Sequence, residues 1–200
     1  MIEIRIHGRG GQGAVIASTL IAHAAHAAGY HVQVFPEFGV ERRGVPVTAF
    51  ARLDREPIRL RTKITAPDHV IVLDPALARS TPVTDGLRDD GSIVINAPDA
   101  SLLESVQEQW RLAFVDATAI AARHGIGTAT SPIVNTTMVG AFAGATGLLR
   151  PEHLEAALRE VMGESAPRNI EAALEAYHSV RMLPSPVSGA LQALFEGGER

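Results

Sequence analysis

The sequence predicts one α/β domain of three layers, in which a Rossmann-like mixed sheet carries helices and a β-hairpin insertion. Three observations support this fold class. Short strand-like runs alternate with helical runs along most of the 200 residues. A glycine-rich loop joins the first strand to the first helix. Two strand-like runs then follow each other where a βαβ repeat would place a helix. We assign residues 1–183 to this domain and residues 184–200, rich in Pro, Ser and Gly, to a C-terminal tail.

The first elements follow from local patterns. Residues 2–7 alternate apolar and polar side chains, which is typical of a strand. Residues 14–28 are Ala-rich and predict a helix that Gly29 ends. Residues 31–35 predict a second strand, which Pro36 should stop.

The middle of the chain predicts the hairpin and the rest of the sheet. Residues 47–53 and 58–61, joined by a turn at residues 54–57, read as two antiparallel strands. Further strands are predicted at residues 69–73, 92–96 and 112–115. The sheet is therefore expected to be mixed rather than purely parallel.

The last third of the domain is predicted to be mainly helical. Ser131-Pro132 predicts a helix start, with a hydroxyl at the N-cap and proline in the first turn. Pro151 and Pro167 predict two more starts, and residues 151–182 are amphipathic throughout.

Composition excludes several classes of site and partner. The chain has no cysteine, so it can hold neither a disulfide nor a cysteine-ligated zinc or iron–sulfur cluster. Its net charge of −4 argues against a nucleic-acid partner. The apolar run at residues 14–28 is too short to span a bilayer, and no signal-peptide pattern is present. We expect a cytoplasmic protein without a membrane span.

The most informative motif is a glycine loop, which consists of Gly8, Arg9, Gly10, Gly11, Gln12 and Gly13. This spacing between a strand and a helix lets backbone amides approach a phosphate at the positive helix end. We predict a phosphate or pyrophosphate cradle, with the side chains of Gln12 and Ser18 near the helix start but not needed to shape the turn. Two alternatives stay open: the glycines only allow close packing, or the loop binds NAD with Glu37 as the ribose-binding acid.

Three other stretches are distinctive together with the glycine loop. They are Phe38-Gly39-Val40-Glu41-Arg42-Arg43-Gly44, Asp74-Pro75 and Asn135-Thr136-Thr137-Met138-Val139-Gly140-Ala141. In this order, the four stretches resemble the gamma subunit of the 2-oxoacid:acceptor (ferredoxin) oxidoreductases, the pyruvate synthase group. The resemblance covers nearly the whole chain.

The resemblance implies a subunit of a larger enzyme that is inactive on its own. Such enzymes oxidatively decarboxylate a 2-oxoacid on thiamine diphosphate with Mg²⁺ and usually pass the acyl group to coenzyme A. Electrons leave through iron–sulfur clusters to ferredoxin or NAD. The expected partners are thiamine-binding alpha and beta subunits and a ferredoxin-like iron–sulfur subunit, with an electron-transfer subunit as a further candidate. The gamma subunit is expected on the coenzyme A side, without catalytic residues or metal ligands.

The resemblance also selects site residues outside the glycine loop. Glu41, Arg43, Gly44, Asn135 and Thr136 are its candidates for cofactor binding, and Glu41 is expected to orient Arg43. Local capping is the alternative role for the last two. The chain also lacks the Gly-Asp-Gly start of a thiamine diphosphate site. The alternative functions are a stand-alone NAD(P)-dependent oxidoreductase of Rossmann type and a purely structural subunit.

Basic residues crowd one region of this otherwise acidic chain. They are Arg42, Arg43, Arg52, Arg55, Arg59, Arg61 and Lys63. We interpret this region as an interface, with nucleotide-phosphate contact and a solvated hairpin as alternatives. His23 and His26 lie close on one helix but have no neighbouring carboxylate in it, so they do not predict a metal site.

Overall fold

The computed structural model describes residues 1–37, 44–103, 110–128 and 130–183. The strands in chain order are β1 (Ile2–Arg9), β2 (His31–Glu37), β3 (Pro46–Asp54), β4 (His69–Val72), β5 (Ser92–Asn96), β6 (Arg111–Val115), β7 (Gly127–Thr128), β8 (Ser131–Pro132) and β9 (Arg181–Met182). The helices are α1 (Ala14–Ala27), α2 (Leu77–Ser80), α3 (Ala117–Arg123), α4 (Asn135–Thr146), α5 (Pro151–Met162) and α6 (Ala166–Ser179).

The main sheet is mixed, as the sequence predicts. Its seven strands lie in the order β2-β3-β1-β4-β5-β6-β9. Strands β1, β4, β5 and β6 are parallel, whereas β3 runs antiparallel to both of its neighbours and β9 antiparallel to β6. The predicted α/β class is confirmed, and the carboxyl ends of the parallel strands share one edge.

The predicted hairpin partner is wrong. Strand β3 pairs with β2 on one side and β1 on the other, and residues 58–61 form no strand. Instead, the Arg52 side chain donates from Nη2 to the Thr62 carbonyl at 2.6 Å, and Gln33 donates from Nε2 to the Leu60 carbonyl at 3.0 Å. Because these side-chain bonds hold the backbone of the segment in an irregular conformation, the segment does not pair with the sheet.

Pro36 does not stop the second strand. It lies inside β2, opposite Ala49 of β3. Because β2 is an edge strand, a residue without an N–H can be accommodated there.

The predicted helix start at Ser131-Pro132 is also wrong. These two residues form β8, which pairs antiparallel with β7, and α4 begins only at Asn135. The amphipathic run that follows is divided into α5 and α6 near Gly163, whose φ of +53° ends α5. The run ends as β9, whose Arg181 pairs with Phe114 of β6. The starts predicted at Pro151 and Pro167 are confirmed, since both prolines lie in a first helical turn.

Two cores cover the two faces of the sheet. The larger core packs α1, α3, α4, α5 and α6 against one face, with Ile4, Ile6 and Phe142 at its centre. On the other face, Val70, Val72 and the strands beside them are covered by the short helix α2 and by loops.

The polar side of β1 is buried beneath this second face. Glu3, Arg5 and His7 alternate with the apolar core residues and are all less than a tenth exposed. Arg52 of β3 lies opposite Glu3, and its Nε donates to the Glu3 carboxylate at 2.8 Å. Arg5 donates from Nη2 to the Val83 carbonyl at 2.9 Å. Burial of these charges is thus offset by ion pairing and by hydrogen bonds to backbone carbonyls.

Among the described helices, none combines the length and the apolar character needed to cross a bilayer.

Candidate functional site

Polar residues gather where the parallel strands end. The glycine loop follows β1, Asp74 follows β4, Asn96 ends β5 and Asp116 follows β6. Asn96 donates to the Leu73 carbonyl at 3.0 Å, and Asp116 caps α3 by accepting from the Ala119 N–H at 2.8 Å. Those two side chains serve the fold. The glycine loop and Asp74 therefore form the centre of the candidate site.

The glycine loop is a closed turn whose shape depends on Gln12. The Arg9 N–H donates to Gln12 Oε1 at 2.7 Å, and the Gln12 N–H donates to the Arg9 carbonyl at 2.9 Å. Gly11 and Gly13 have φ of +94° and +81°, a region that favours glycine. The expectation that Gln12 does not shape the turn is wrong, because its side chain forms half of this reciprocal pair.

The loop is tied to two other segments. Arg9 Nε donates to Asp74 Oδ2 at 2.6 Å, and Arg9 Nη1 donates to the Gly44 carbonyl at 3.1 Å. Gly10 exchanges backbone bonds with this segment, donating to the Val45 carbonyl at 2.9 Å and accepting from the Gly44 N–H at 3.1 Å. Gly44, selected from sequence, is thus brought against the loop. Asp74 is an ion-pair partner that neutralises Arg9.

Glu41 and Arg43, the other candidates from this stretch, lie outside the described residues, as does Arg42.

The start of α1 presents unpaired backbone donors to this edge. Gly13 is the N-cap and offers no side chain, and the first turn contains no acidic residue. The first helical bond runs from the Ala17 N–H to the Gly13 carbonyl at 2.9 Å. The N–H groups of Ala14, Val15 and Ile16 therefore have no acceptor within the helix, which leaves the positive helix end available to an anion.

A second helix begins at the same place. Asn135, the first residue of α4, lies so close to the glycine loop that a Cβ on Gly13 would stand 2.4 Å from its Nδ2 atom. Its Oδ1 accepts from the Thr136 N–H at 2.8 Å. Helix α4, like α1, has no side-chain cap from its N-cap residue and no acid in its first turn, although Asn135 occupies the Thr136 N–H. Two positive helix ends therefore meet at the glycine loop.

Two predicted site residues are placed elsewhere. Thr136 is fully buried, and its hydroxyl donates to Asn169 Oδ1 at 2.9 Å, which joins α4 to α6. Ser18 is buried within α1, where its hydroxyl donates to the Val15 carbonyl at 2.7 Å. Both hydroxyls serve helix packing rather than the loop.

The histidines do not build a metal centre. His7 is buried at the end of β1, and burial, aided by the nearby Arg5 charge, lowers its pKa to about 4. The imidazole is therefore neutral at pH 7, and its Nε2 has no partner among the described residues. His23 lies 3.0 Å from Glu160. Within the described ranges, no three His, Cys, Asp or Glu side chains converge as metal ligands would.

Glu37 is poorly placed for an NAD site. In such sites the ribose-binding acid ends the parallel strand next to the glycine-loop strand. Here the antiparallel β3 separates β2 from β1, and Glu37 is ion-paired with Lys63. The sheet order therefore disfavours the NAD alternative.

Exposed apolar side chains surround the loop, a feature that the sequence analysis missed. Val15, Ile16, Val45 and Ile133 are 36–44% exposed and are half of the eight large apolar residues exposed in the described part of the chain. They come from the three segments that meet at the loop. Apolar residues directly after a glycine loop were the available signal in the sequence. We call these four residues the apolar rim.

Comparison with known proteins agrees with this fold. The model of the pyruvate ferredoxin/flavodoxin oxidoreductase family matches residues 3–179. The pyruvate/ketoisovalerate oxidoreductases common subunit gamma of Pyrococcus abyssi is 48% identical over 186 residues, which cover 91% of this chain and 98% of the relative. The pyruvate synthase subunit PorC of Methanothermobacter thermautotrophicus is 46% identical, covering 92% of this chain and 98% of that subunit.

A crystal structure supports the same assignment. Pyruvate oxidoreductase subunit PORC from Thermotoga maritima superposes with a TM-score of 0.78 at 33% identity, covering 92% of this chain and 98% of that one. The resemblance seen in the four sequence stretches is thereby confirmed. The chain belongs to the pyruvate ferredoxin/flavodoxin oxidoreductase family, within which it is a gamma-type subunit.

Proposed function

We propose that this gamma subunit holds the phosphate-bearing end of coenzyme A while partner subunits carry out the oxidative decarboxylation of a 2-oxoacid. One observation carries the proposal: the starts of α1 and α4 meet at the glycine loop, neither has a side-chain cap from its N-cap residue, and neither first turn contains an acid. Convergent backbone N–H groups favour an anion with several oxygen atoms.

The residues present fit a phosphate better than a carbonyl or a metal. Gly13 has no side chain, and the amide nitrogen of Asn135 packs where its Cβ would stand, which brings a further N–H donor to the loop. Arg9 is already neutralised by Asp74, so the backbone amides rather than a free guanidinium supply the attraction. Such a site binds and orients a phosphate without donating or accepting a proton.

The reaction itself is assigned to other chains. The sequence contains no cysteine to hold an iron–sulfur cluster and no Gly-Asp-Gly start for thiamine diphosphate. We therefore place thiamine diphosphate and Mg²⁺ on alpha and beta subunits and the iron–sulfur clusters on a ferredoxin-like subunit. When bound, coenzyme A supplies the thiol that accepts the acyl group.

The apolar rim supports the view that a partner subunit covers this site. A cluster of exposed branched side chains at one edge is typical of a protein interface. We infer that the thiamine-binding subunits pack over this edge, so that the glycine loop and the reacting centre face each other across the interface.

The test places a charge at the start of α1 in the assembled enzyme. Val15→Asp adds a carboxylate beside the free amides, and Val15→Asn is the matched neutral control. An acid at this position stabilises a helix, so folding should not suffer. We expect the aspartate variant to raise KM for coenzyme A about tenfold over the asparagine variant, close to 1.4 kcal/mol of binding. The KM for the oxoacid should stay unchanged.

Equal KM values for coenzyme A in the two variants, with equal subunit content, would contradict a phosphate site at this helix end. Gel filtration of both assembled variants separates that result from loss of the interface.

A further inference from the structure

The structure divides the basic region of the sequence into residues with different roles. Arg52 is only 1% exposed and is bonded to Glu3. Arg55 stacks over the Tyr30 ring, 3.8 Å from its centroid. Lys63 is ion-paired with Glu37. These three cations are therefore committed to contacts within the chain.

Of the basic residues of this region that the structure describes, Arg59 and Arg61 remain, and both are exposed. Neither side chain forms a hydrogen bond or ion pair with any residue in the described ranges. Leu60, between them, is 46% exposed, the largest exposure of any leucine, isoleucine or valine in the described part. We call residues 58–61 the basic segment.

A network of side-chain bonds around the buried Arg52 holds the backbone of the basic segment. Gln33 Nε2 donates to the Leu60 carbonyl at 3.0 Å, and Arg52 Nη2 donates to the Thr62 carbonyl at 2.6 Å. Arg52 is itself held by Glu3 at 2.8 Å and by Gln33 Oε1 at 3.1 Å. The carbonyls on both sides of Arg61 are thus anchored to one set of side chains, although the segment has no secondary structure.

Anchoring of this kind reduces the entropy lost when a partner binds. Burying an arginine is costly unless its bonds are satisfied. Here one bond of Arg52 goes to the Thr62 carbonyl, and a second goes to Gln33, whose own amide holds the Leu60 carbonyl. Two exposed guanidinium groups beside an exposed apolar side chain also suit an interface, because arginine is enriched at interfaces and among the residues that dominate binding.

The charge of the segment indicates the chemistry of its partner. The chain as a whole carries a net charge of −4, so the two exposed arginines form a local patch of the opposite sign. The exposed acid nearest in sequence is Glu56, and Glu37 is neutralised by Lys63. A complementary surface would carry carboxylates around an apolar socket.

We propose that the basic segment docks onto an acidic surface of another subunit of the same enzyme. This inference rests on the gamma-subunit role but not on coenzyme A binding. The segment lies by the β2–β3 half of the sheet, on the face where Arg52 and Gln33 project, and not at the edge that carries the glycine loop. It is therefore a contact separate from the apolar rim.

The test measures the affinity of purified gamma subunit for the complex prepared without it. The variant is Arg59→Glu with Arg61→Glu. The control, Arg79→Glu with Arg168→Glu, makes the same charge change at two other exposed arginines. We expect the first pair to weaken binding at least tenfold, with a loss that shrinks as salt is raised, and the control pair to change it less than about threefold.

Two further variants keep the result interpretable. Arg59→Gln with Arg61→Gln should give an intermediate loss, and Leu60→Ala should weaken binding without altering its salt dependence. Unchanged affinity of the charge-reversed pair, or an equal loss in the control pair, would overturn the proposal. Because coenzyme A is absent from this titration, its outcome is independent of the Val15 experiment.

Discussion

Gly13 and Asn135 touch at the point where α1 and α4 begin. A Cβ on Gly13 would lie 2.4 Å from Asn135 Nδ2 and 3.1 Å from its Cγ, closer than nonbonded carbon and nitrogen atoms can approach. The contact joins the glycine loop to the Asn135 segment, two of the stretches by which the sequence resembles its family. Their shared position gives both stretches one physical role, the packing of the glycine loop against the start of α4.

Gly13→Ala should therefore be more damaging than alanine at a comparable glycine. The substitution combines φ of +81° with a clash against Asn135. Gly147→Ala is the matched control, because Gly147 has φ of +67° and nothing within 4 Å of its Cβ position. We expect Gly147→Ala to cost about 1 kcal/mol in unfolding free energy and Gly13→Ala about 2–3 kcal/mol. Equal values from urea denaturation would show that the clash is relieved at no cost.

Gln12→Ala and Ser18→Ala should separate the loop from the helix behind it. Gln12 Oε1 accepts the Arg9 N–H, so its removal should loosen the turn and raise KM for coenzyme A several-fold in the assembled enzyme. Ser18 bonds only within α1, so Ser18→Ala should leave that KM unchanged. An effect of Ser18→Ala as large as that of Gln12→Ala would mean that the helix, not the loop, positions the ligand.

Stability should fall as the pH drops below the ordinary histidine range. Burial lowers the pKa of His7 and of His69 to about 4, from an ordinary value of 6.5. Between these values the unfolded chain binds more protons than the folded chain, so the unfolding free energy rises with pH. We expect a loss of roughly 1–2 kcal/mol per histidine between pH 7 and pH 5.

The variant His69→Gln tests how much of this pH dependence of the unfolding free energy comes from His69. A glutamine can still bond to Ser92, which His69 contacts at 2.7 Å, but it does not titrate. Its unfolding free energy should change less steeply between the same two pH values. A slope identical to that of the parent protein would assign the pH dependence to other groups.

The purified subunit alone should contain no iron and no thiamine diphosphate and should oxidise no 2-oxoacid. The reason is chemical: the chain has no cysteine and no thiamine motif. Metal analysis, cofactor extraction and an acceptor-reduction assay check the three parts. Stoichiometric iron, or turnover by the isolated chain, would contradict the division of labour between subunits.

Arg43→Ala should impair the assembled enzyme more than Arg55→Ala. Arg43 belongs to the stretch that resembles the family, whereas Arg55 is exposed, stacks on Tyr30 and donates to the Ala28 carbonyl. The sequence offers a solvated hairpin at Arg55, whereas in the structure its guanidinium stacks on Tyr30. Loss of this stacking contact should lower stability rather than activity. Equal specific activity of the two variants, at equal subunit content, would remove the special role of Arg43.

Local sequence patterns predicted the elements whose signals lie within a few residues of each other. Strand β1, helix α1 and the glycine loop between them follow from alternation, alanine content and glycine spacing. Strand β5 was predicted at its observed limits, Ser92–Asn96, because a short β-branched run between polar loops is typical of a buried parallel strand. Predictions were wrong where one local pattern is compatible with two structures. Ser131-Pro132 could start a helix, but its backbone pairs with β7 as strand β8.

The sequence predicted only part of the candidate site. Glycine spacing located the loop, and the resemblance located Gly44 and Asn135, both of which the structure brings to it. Nothing local showed that Thr136 would turn toward Asn169 or that Arg9 would be neutralised by Asp74. Side-chain direction and ion pairing depend on which distant element lies opposite, and periodicity carries no information about that.

The sequence by itself determined most strands of the main sheet, the position of the glycine loop and the absence of cysteine chemistry, because propensity, glycine spacing and cysteine content are properties of the chain itself. The tertiary structure alone decided that β3 inserts between β1 and β2, that Glu3 and Arg52 are buried together, and that two helix starts meet at Gly13. Each of these depends on the register between segments far apart in sequence. Such a register is selected by the whole core at once, since shifting one strand by a single residue would exchange its buried and exposed faces.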